Sequence, residues 1–198
     1  MNETLEKIPE RSAVLIIGSP TSNKKGIIHQ IIKKAIKNKD PIVFITTDNF
    51  PGDIESSLQK EKIECKKYEA LGNFMFIDCY TAQAEDSISD TKIIKRISSP
   101  IALNEISVAI SEIESHFYKE HKKPRVIFQS LSTLLIHCKP EAIERFVQVI
   151  VARTKNVGGT IFFTIEEGMH EQNVIVAFQH LVDSIIELKE NKIALKVK

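Results

Sequence analysis

Short apolar runs alternate along this chain with longer amphipathic stretches. Five of the runs have the make-up of buried strands: residues 13–17 (AVLII), 42–46 (IVFIT), 73–77 (NFMFI), 125–128 (RVIF) and 160–165 (TIFFTI). Between them, apolar residues recur at helical spacing. Ile27, Ile28, Ile31, Ile32 and Ala35 mark one face of a helix over residues 26–36, and Ile106, Ala109, Ile110, Ile113 and Phe117 one face of a helix over 102–118. Further helices are predicted over 52–60, 140–156 and 173–180. Pro140 suits a first helical turn, and Gly158-Gly159 a helix end. Residues 87–98 are polar and read as a loop or short element, while 184–188 and 192–197 read as a terminal hairpin. Strands that are apolar on both sides and alternate with helices predict an α/β fold with a mostly parallel sheet covered on both faces. In such folds ligands bind outside the carboxyl ends of the strands.

Composition narrows the class. The 198 residues are 42% apolar and 27% charged, enough for one well-packed domain spanning 1–198 with a polar segment at 1–12. Lys and Arg total 27 against 26 Asp and Glu, a formal charge of +1. This balance supplies no general attraction to nucleic acid or anionic lipid. Cys65, Cys79 and Cys138 show neither paired spacing nor a zinc pattern. No apolar run approaches the ~20 residues that cross a bilayer, and residues 1–12 lack a signal-like apolar region. The expected setting is the cytoplasm, without membrane association.

The loop after the first strand reads Gly18-Ser19-Pro20-Thr21-Ser22-Asn23-Lys24-Lys25. A P-loop places GxxxxGK[ST] between strand and helix: backbone N–H groups surround phosphate, the lysine balances its charge, and the hydroxyl holds magnesium. Here Gly18 and Lys24 fit. Asn23 replaces the second glycine, and its tolerance of positive φ could preserve the loop's shape. Lys25 replaces the hydroxyl residue. Two lysines at a helix start are opposed by the helix dipole, which calls for a nearby anion or solvent screening.

Taken in order, FITTDNFPGDIESSL, FIDCYTAQ, ISSPIALNEISVAISEI, RVIFQSLSTLLIH and GGTIFFTIEEGMH resemble the archaeal KaiC-like branch of the RecA superfamily, over roughly residues 13–188. The resemblance implies a RecA-like P-loop core, ATP or ADP as ligand, self-association or an active paralogue as partner, and a role in signal transduction. It implies a nucleotide-binding set of residues 18–25 and Gln129. Lys24 matches the P-loop lysine. Gln129 stands where the family has the acid of the magnesium shell, and a neutral amide lacks the charge that attracts a divalent cation. Asp48, in the Asp48-Asn49 pair, matches the first member of the family's acidic pair and is the candidate residual base. Lys196 and Lys198 are the candidates for a charge acting on a neighbour's nucleotide.

Lys25 and Gln129 together argue against magnesium-dependent hydrolysis, which depends on positioning and charge. The expected protein is a degenerate, weakly binding or non-hydrolysing regulatory or scaffold protein with no metal site. The alternatives are an active ATPase of the same family, using Lys24 and Asp48, and a RecA-type nucleic-acid-binding module. Asp78 reads as a turn cap and Glu166 to His170 as a charged loop. Ser130 and Ser132 carry no GxSxG elbow and no histidine at an evident spacing.

Overall fold

The computed structural model describes residues 2–85, 89–189 and 192–198. Eight strands form one sheet: β1 (Ala13–Gly18), β2 (Ile42–Thr46), β3 (Phe74–Asp78), β4 (Ile94–Arg96), β5 (Arg125–Gln129), β6 (Thr160–Glu166), β7 (Ser184–Lys189) and β8 (Lys192–Val197). Their order is β4-β3-β2-β5-β6-β1-β7-β8, parallel throughout except for the antiparallel β7–β8 pair. The α/β fold with a mostly parallel sheet is therefore as the pattern predicts, and so is the terminal hairpin.

Period-two alternation divides the core. Leu15, Ile17, Val43, Ile45, Val126 and Phe128 point to one face. There they meet α5 (Leu103–Lys119), α6 (Leu131–His137), α7 (Pro140–Asn156) and α8 (Gln172–His180). Val14, Ile16, Phe44, Phe76, Ile127 and Phe162 point to the other. That face is covered by α1 (Asn2–Glu6), α2 (Lys24–Asn38), α3 (Pro51–Lys60) and α4 (Cys65–Ala70). Both sheet faces are thus removed from water, which is why the central strands carry almost no polar positions.

The hydrophobic pattern passed over three short helices and left one further stretch open between a loop and a short element. Two lie in stretches that it left unassigned: α4 has six residues and α6 seven, too few for a helical period to declare itself. The five-residue α1 falls in the segment read only as polar. Strand β4, three residues long, falls inside the 87–98 stretch, whose residues 87 and 88 lie outside the described residues.

Between α5 and α7 a carboxyl group is sealed into the core. Glu114 is buried and accepts the Thr154 hydroxyl proton, and burial pushes its pKa up to about 7. A carboxyl whose folded pKa is raised holds its proton more tightly in the native state. Stability from this group is complete below the ordinary value of 4.5 and declines as pH rises toward about 7. Glu114→Gln is expected to flatten that part of the profile, gaining up to about 3 kcal/mol over the parent at pH 8 and little at pH 4. Paired thermal melts at the two pH values measure it; an equal shift at both would contradict the titration.

Candidate functional site

Register brings the carboxyl ends of four strands together. Gly18 pairs with Glu166, and Thr46 pairs with Gln129. The segments after β1, β2, β5 and β6 therefore converge on one sheet edge.

The loop after β1 is closed upon itself. The Ser22 hydroxyl donates to Ser19 O at 2.7 Å, and Ser22 N donates to the same carbonyl at 3.0 Å. Gly18 makes this possible, since a Cβ there would stand 2.3 Å from Ser22 Oγ. Asn23 does not use positive φ: it sits at φ −78° and caps α2, with Oδ1 accepting from Gly26 N at 3.0 Å. The expectation that asparagine substitutes for glycine by visiting the left-handed region is thereby corrected. It works as a capping side chain, and it takes an amide that a P-loop would direct at phosphate. Gly26 is matched to it, because a Cβ at that position would lie 2.5 Å from the Asn23 carboxamide.

Lys24 folds back over β1 and is nearly buried, 8% exposed. Its ammonium donates to Gly18 O at 3.0 Å, to Ser22 Oγ at 3.1 Å and to Ser19 O, and forms an ion pair with Glu166 Oε2 at 2.7 Å. The anion that a helix-starting lysine needs is supplied by the strand paired with β1. Lys25, one residue on, points outward and is exposed.

Glu166 is positioned from behind. Its N–H donates to Ser132 Oγ at 2.8 Å, and the same oxygen lies 2.8 Å from His170 Nε2. No spacing pattern pairs Ser132 with a histidine 38 residues away; the β6–α8 loop returns to α6 and brings them together. Ser132 is only 3% exposed and already accepts from the backbone, so the pair is a strut between α6 and the loop rather than a nucleophile. Burial lowers the His170 pKa, against the opposing influence of Glu166. Ser130 caps α6 by accepting from Ser132 N at 3.1 Å.

After β2, Thr46 and Asn49 close a turn with bonds of 2.7 and 3.2 Å, leaving Asp48 at its tip. Asp48 accepts from Asn49 Nδ2 at 2.7 Å. The residue is exposed, yet neighbouring groups take away enough water to raise its pKa, and Glu166 adds to the rise. Gln129 ends β5 beside this turn, and its carbonyl accepts from Thr47 N at 2.9 Å.

Other sequence candidates are committed elsewhere. Asp78 is fully buried and caps the short helical turn over Thr81–Gln83, accepting from Tyr80 N at 2.9 Å, Thr81 N at 3.0 Å and Thr81 Oγ1 at 2.5 Å, besides pairing with Arg96. Lys196 is paired with Glu187 at 2.6 Å, and Lys198 donates to Gln179 O. Among the described residues no three His, Cys, Asp or Glu side chains are placed to hold a metal ion, and no helix is long and apolar enough to cross a membrane.

Residues 11–188 match the sequence profile of a family of unknown function, DUF7504. The chain belongs to that family. The chain also shares distant sequence likeness with proteins named UPF0273. SSO1861 of Saccharolobus solfataricus is 28% identical over 184 residues, covering 91% of this chain and 62% of that protein. PH0284 of Pyrococcus horikoshii is 25% identical over 192 residues, covering 96% and 75%. The chain thus spans a little over three-fifths of the length of the Saccharolobus relative. Among solved structures, a KaiC-like protein of P. horikoshii, PH0186, superimposes with a TM-score of 0.66 at 17% identity, over 96% of this chain and 77% of that one. PH0321 of the same organism, solved in complex with an unknown peptide, gives 0.74 at 17% identity, over 99% and 87%. The fold of this chain is accordingly RecA-like, as the sequence blocks imply.

Proposed function

We propose that this chain is a KaiC-like regulatory or scaffold protein that does not turn over magnesium ATP and acts through self-association or through pairing with an active relative. One observation carries the reading: the P-loop lysine is held within the protein, by Glu166 and three oxygens of its own loop. A phosphate arriving there has to displace a partly buried ion pair. On this reading a magnesium-bound triphosphate does not fit the residues present. The Gly26 amide is taken by Asn23, Lys25 offers a cation where a hydroxyl would ligate, and Gln129 offers no charge. Residues 18–25 with Gln129 keep the outline of a nucleotide seat, and Asp48 has no activated water to serve. The unknown peptide bound by PH0321 makes protein segments the first class of partner to examine.

Phosphate release with ATP and magnesium tests the proposal, beside titration calorimetry with ATP and ADP in magnesium and in EDTA. The expected result is no turnover above that of Lys24→Ala and no binding that magnesium strengthens. Turnover lost in Lys24→Ala would overturn the reading.

A further inference from the structure

Between α2 and α3, sharing Lys25 and Gln129 with the outline of the nucleotide seat, lies a recess of about 250 Å³. That is room for about eight waters at ~30 Å³ each, the scale of a small metabolite. Its floor is hydrocarbon: Ile28 and Ile32 of α2, Phe44 of β2, Ile54 and Leu58 of α3. Its rim is polar, made by Lys25, Asn49, Asp53 and Gln129. One wall is closed by His29 and Ser57, joined at 3.2 Å.

The rim differs from the P-loop in one respect that matters. Every polar group around Lys24 is engaged with another. Among the described residues, the Lys25 ammonium, the Asp53 carboxylate and the Gln129 carboxamide make no side-chain hydrogen bond or ion pair, although all three border one concavity. Asn49 spends its NH₂ on Asp48 and leaves its Oδ1 open. Burial, and then the charge of Lys25, lower the pKa of His29, so the wall is neutral at pH 7. The lining therefore presents one cation, one anion and two amides above an apolar floor.

That combination discriminates among ligands. Polyphosphates bring several negative charges against a single lysine, with Asp53 repelling them. A plain carboxylate satisfies Lys25 and leaves Asp53 without a partner; a plain amine does the reverse. A molecule with both charges at one end and hydrocarbon at the other satisfies every group, which is the usual plan of a small-molecule site: apolar walls with a few placed polar heads.

We propose that this recess binds a small zwitterion with an apolar side chain, of the free α-amino-acid class. Lys25 and Gln129 take its carboxylate, Asp53 and Asn49 its ammonium group, and the floor formed by α2, β2 and α3 its side chain. The site lies where the family resemblance puts the magnesium hydroxyl and the magnesium acid, and it assigns Lys25 and Gln129 a task that the pseudo-ATPase reading leaves open. The bound molecule would bridge α2 to α3 without any metal.

Titration calorimetry on the full chain, in EDTA, tests it with the twenty free L-amino acids and two leucine analogues. Leucinamide lacks the carboxylate, and 4-methylpentanoate lacks the ammonium group. At least one apolar amino acid is expected to bind with a Kd below about 1 mM. Removing either charge from the ligand, or substituting Lys25→Ala or Asp53→Ala, is expected to weaken binding at least tenfold. Both side chains are exposed, so circular dichroism should show the variants folded, and the milder Lys25→Gln and Asp53→Asn repeat the test. No heat from any amino acid at about 10 mM overturns the proposal. So does equal binding of leucine and its two analogues, or binding unaffected by both substitutions. The phosphate-release result is read on nucleotide alone, so either proposal can fail while the other stands.

Discussion

Replacing Arg96 with alanine is expected to lower the free energy of unfolding by about 3 kcal/mol or more, a large share of a domain's total. Asp78 is fully buried at the end of β3, and Arg96 on the adjacent strand β4 is its charged partner. Tyr80 N, Thr81 N and Thr81 Oγ1 remain as donors to the carboxylate, and they orient it without neutralising it. Losing the half-buried arginine leaves the desolvation of a fully buried carboxylate uncompensated, the costliest kind of polar substitution. Asp78→Asn in the Arg96→Ala background is expected to recover part of the loss, because the neutral amide no longer needs a counter-charge. Urea unfolding of the two singles and the double measures the coupling. Additive losses would mean that the pair contributes nothing jointly.

The second large effect concerns the P-loop. Asn23→Gly, Lys25→Thr and Gln129→Asp restore the glycine, the hydroxyl and the acid that the family resemblance calls for. The triple variant is expected to gain at least tenfold in magnesium-dependent ATP affinity, about 1.4 kcal/mol. The geometry adds a fourth requirement. Lys24 stays pinned to Glu166 at 2.7 Å, so Glu166→Gln should give at least a further tenfold by releasing the ammonium. Asn23→Gly carries little penalty, since glycine at a helix N-cap is only a few tenths of a kcal/mol worse than asparagine. Calorimetry with magnesium and with EDTA measures both steps. A folded quadruple variant that binds no better than the parent would mean that the altered residues are not what separates this loop from a working one.

The sheet was legible because its strands are buried on both faces, which leaves unbroken apolar runs such as AVLII and TIFFTI that few other structures require. Helices of ten residues or more were legible from their periodic faces, as in α2, α5 and α7. α4, α6 and β4 were not, because six, seven and three residues hold too few repeats for a period to stand out. Within the site, contiguous residues were readable as a motif: Gly18 to Lys25 stand in sequence as they stand in space. Contacts made by register were not. Glu166 lies 142 residues from Lys24, and only the β1–β6 pairing of Gly18 with Glu166 puts them together. A charged residue closing an otherwise apolar strand, neighbour to the P-loop strand in a parallel sheet, was the one available signal. The Ser132–His170 bond had none, because it depends on how the β6–α8 loop turns back.

The alignment of Gly18 with Glu166 has a consequence for how this molecule ages and is stored. A lysine whose counter-ion is part of the same polypeptide is neutralised at fixed stoichiometry from the moment the two strands dock. Its loop needs no diffusible anion to keep its form. Prolonged dialysis, dilution or an exhausted adenylate supply should therefore leave the conformation as it was, whereas a loop that borrows its anion from solution slackens each time the donor departs.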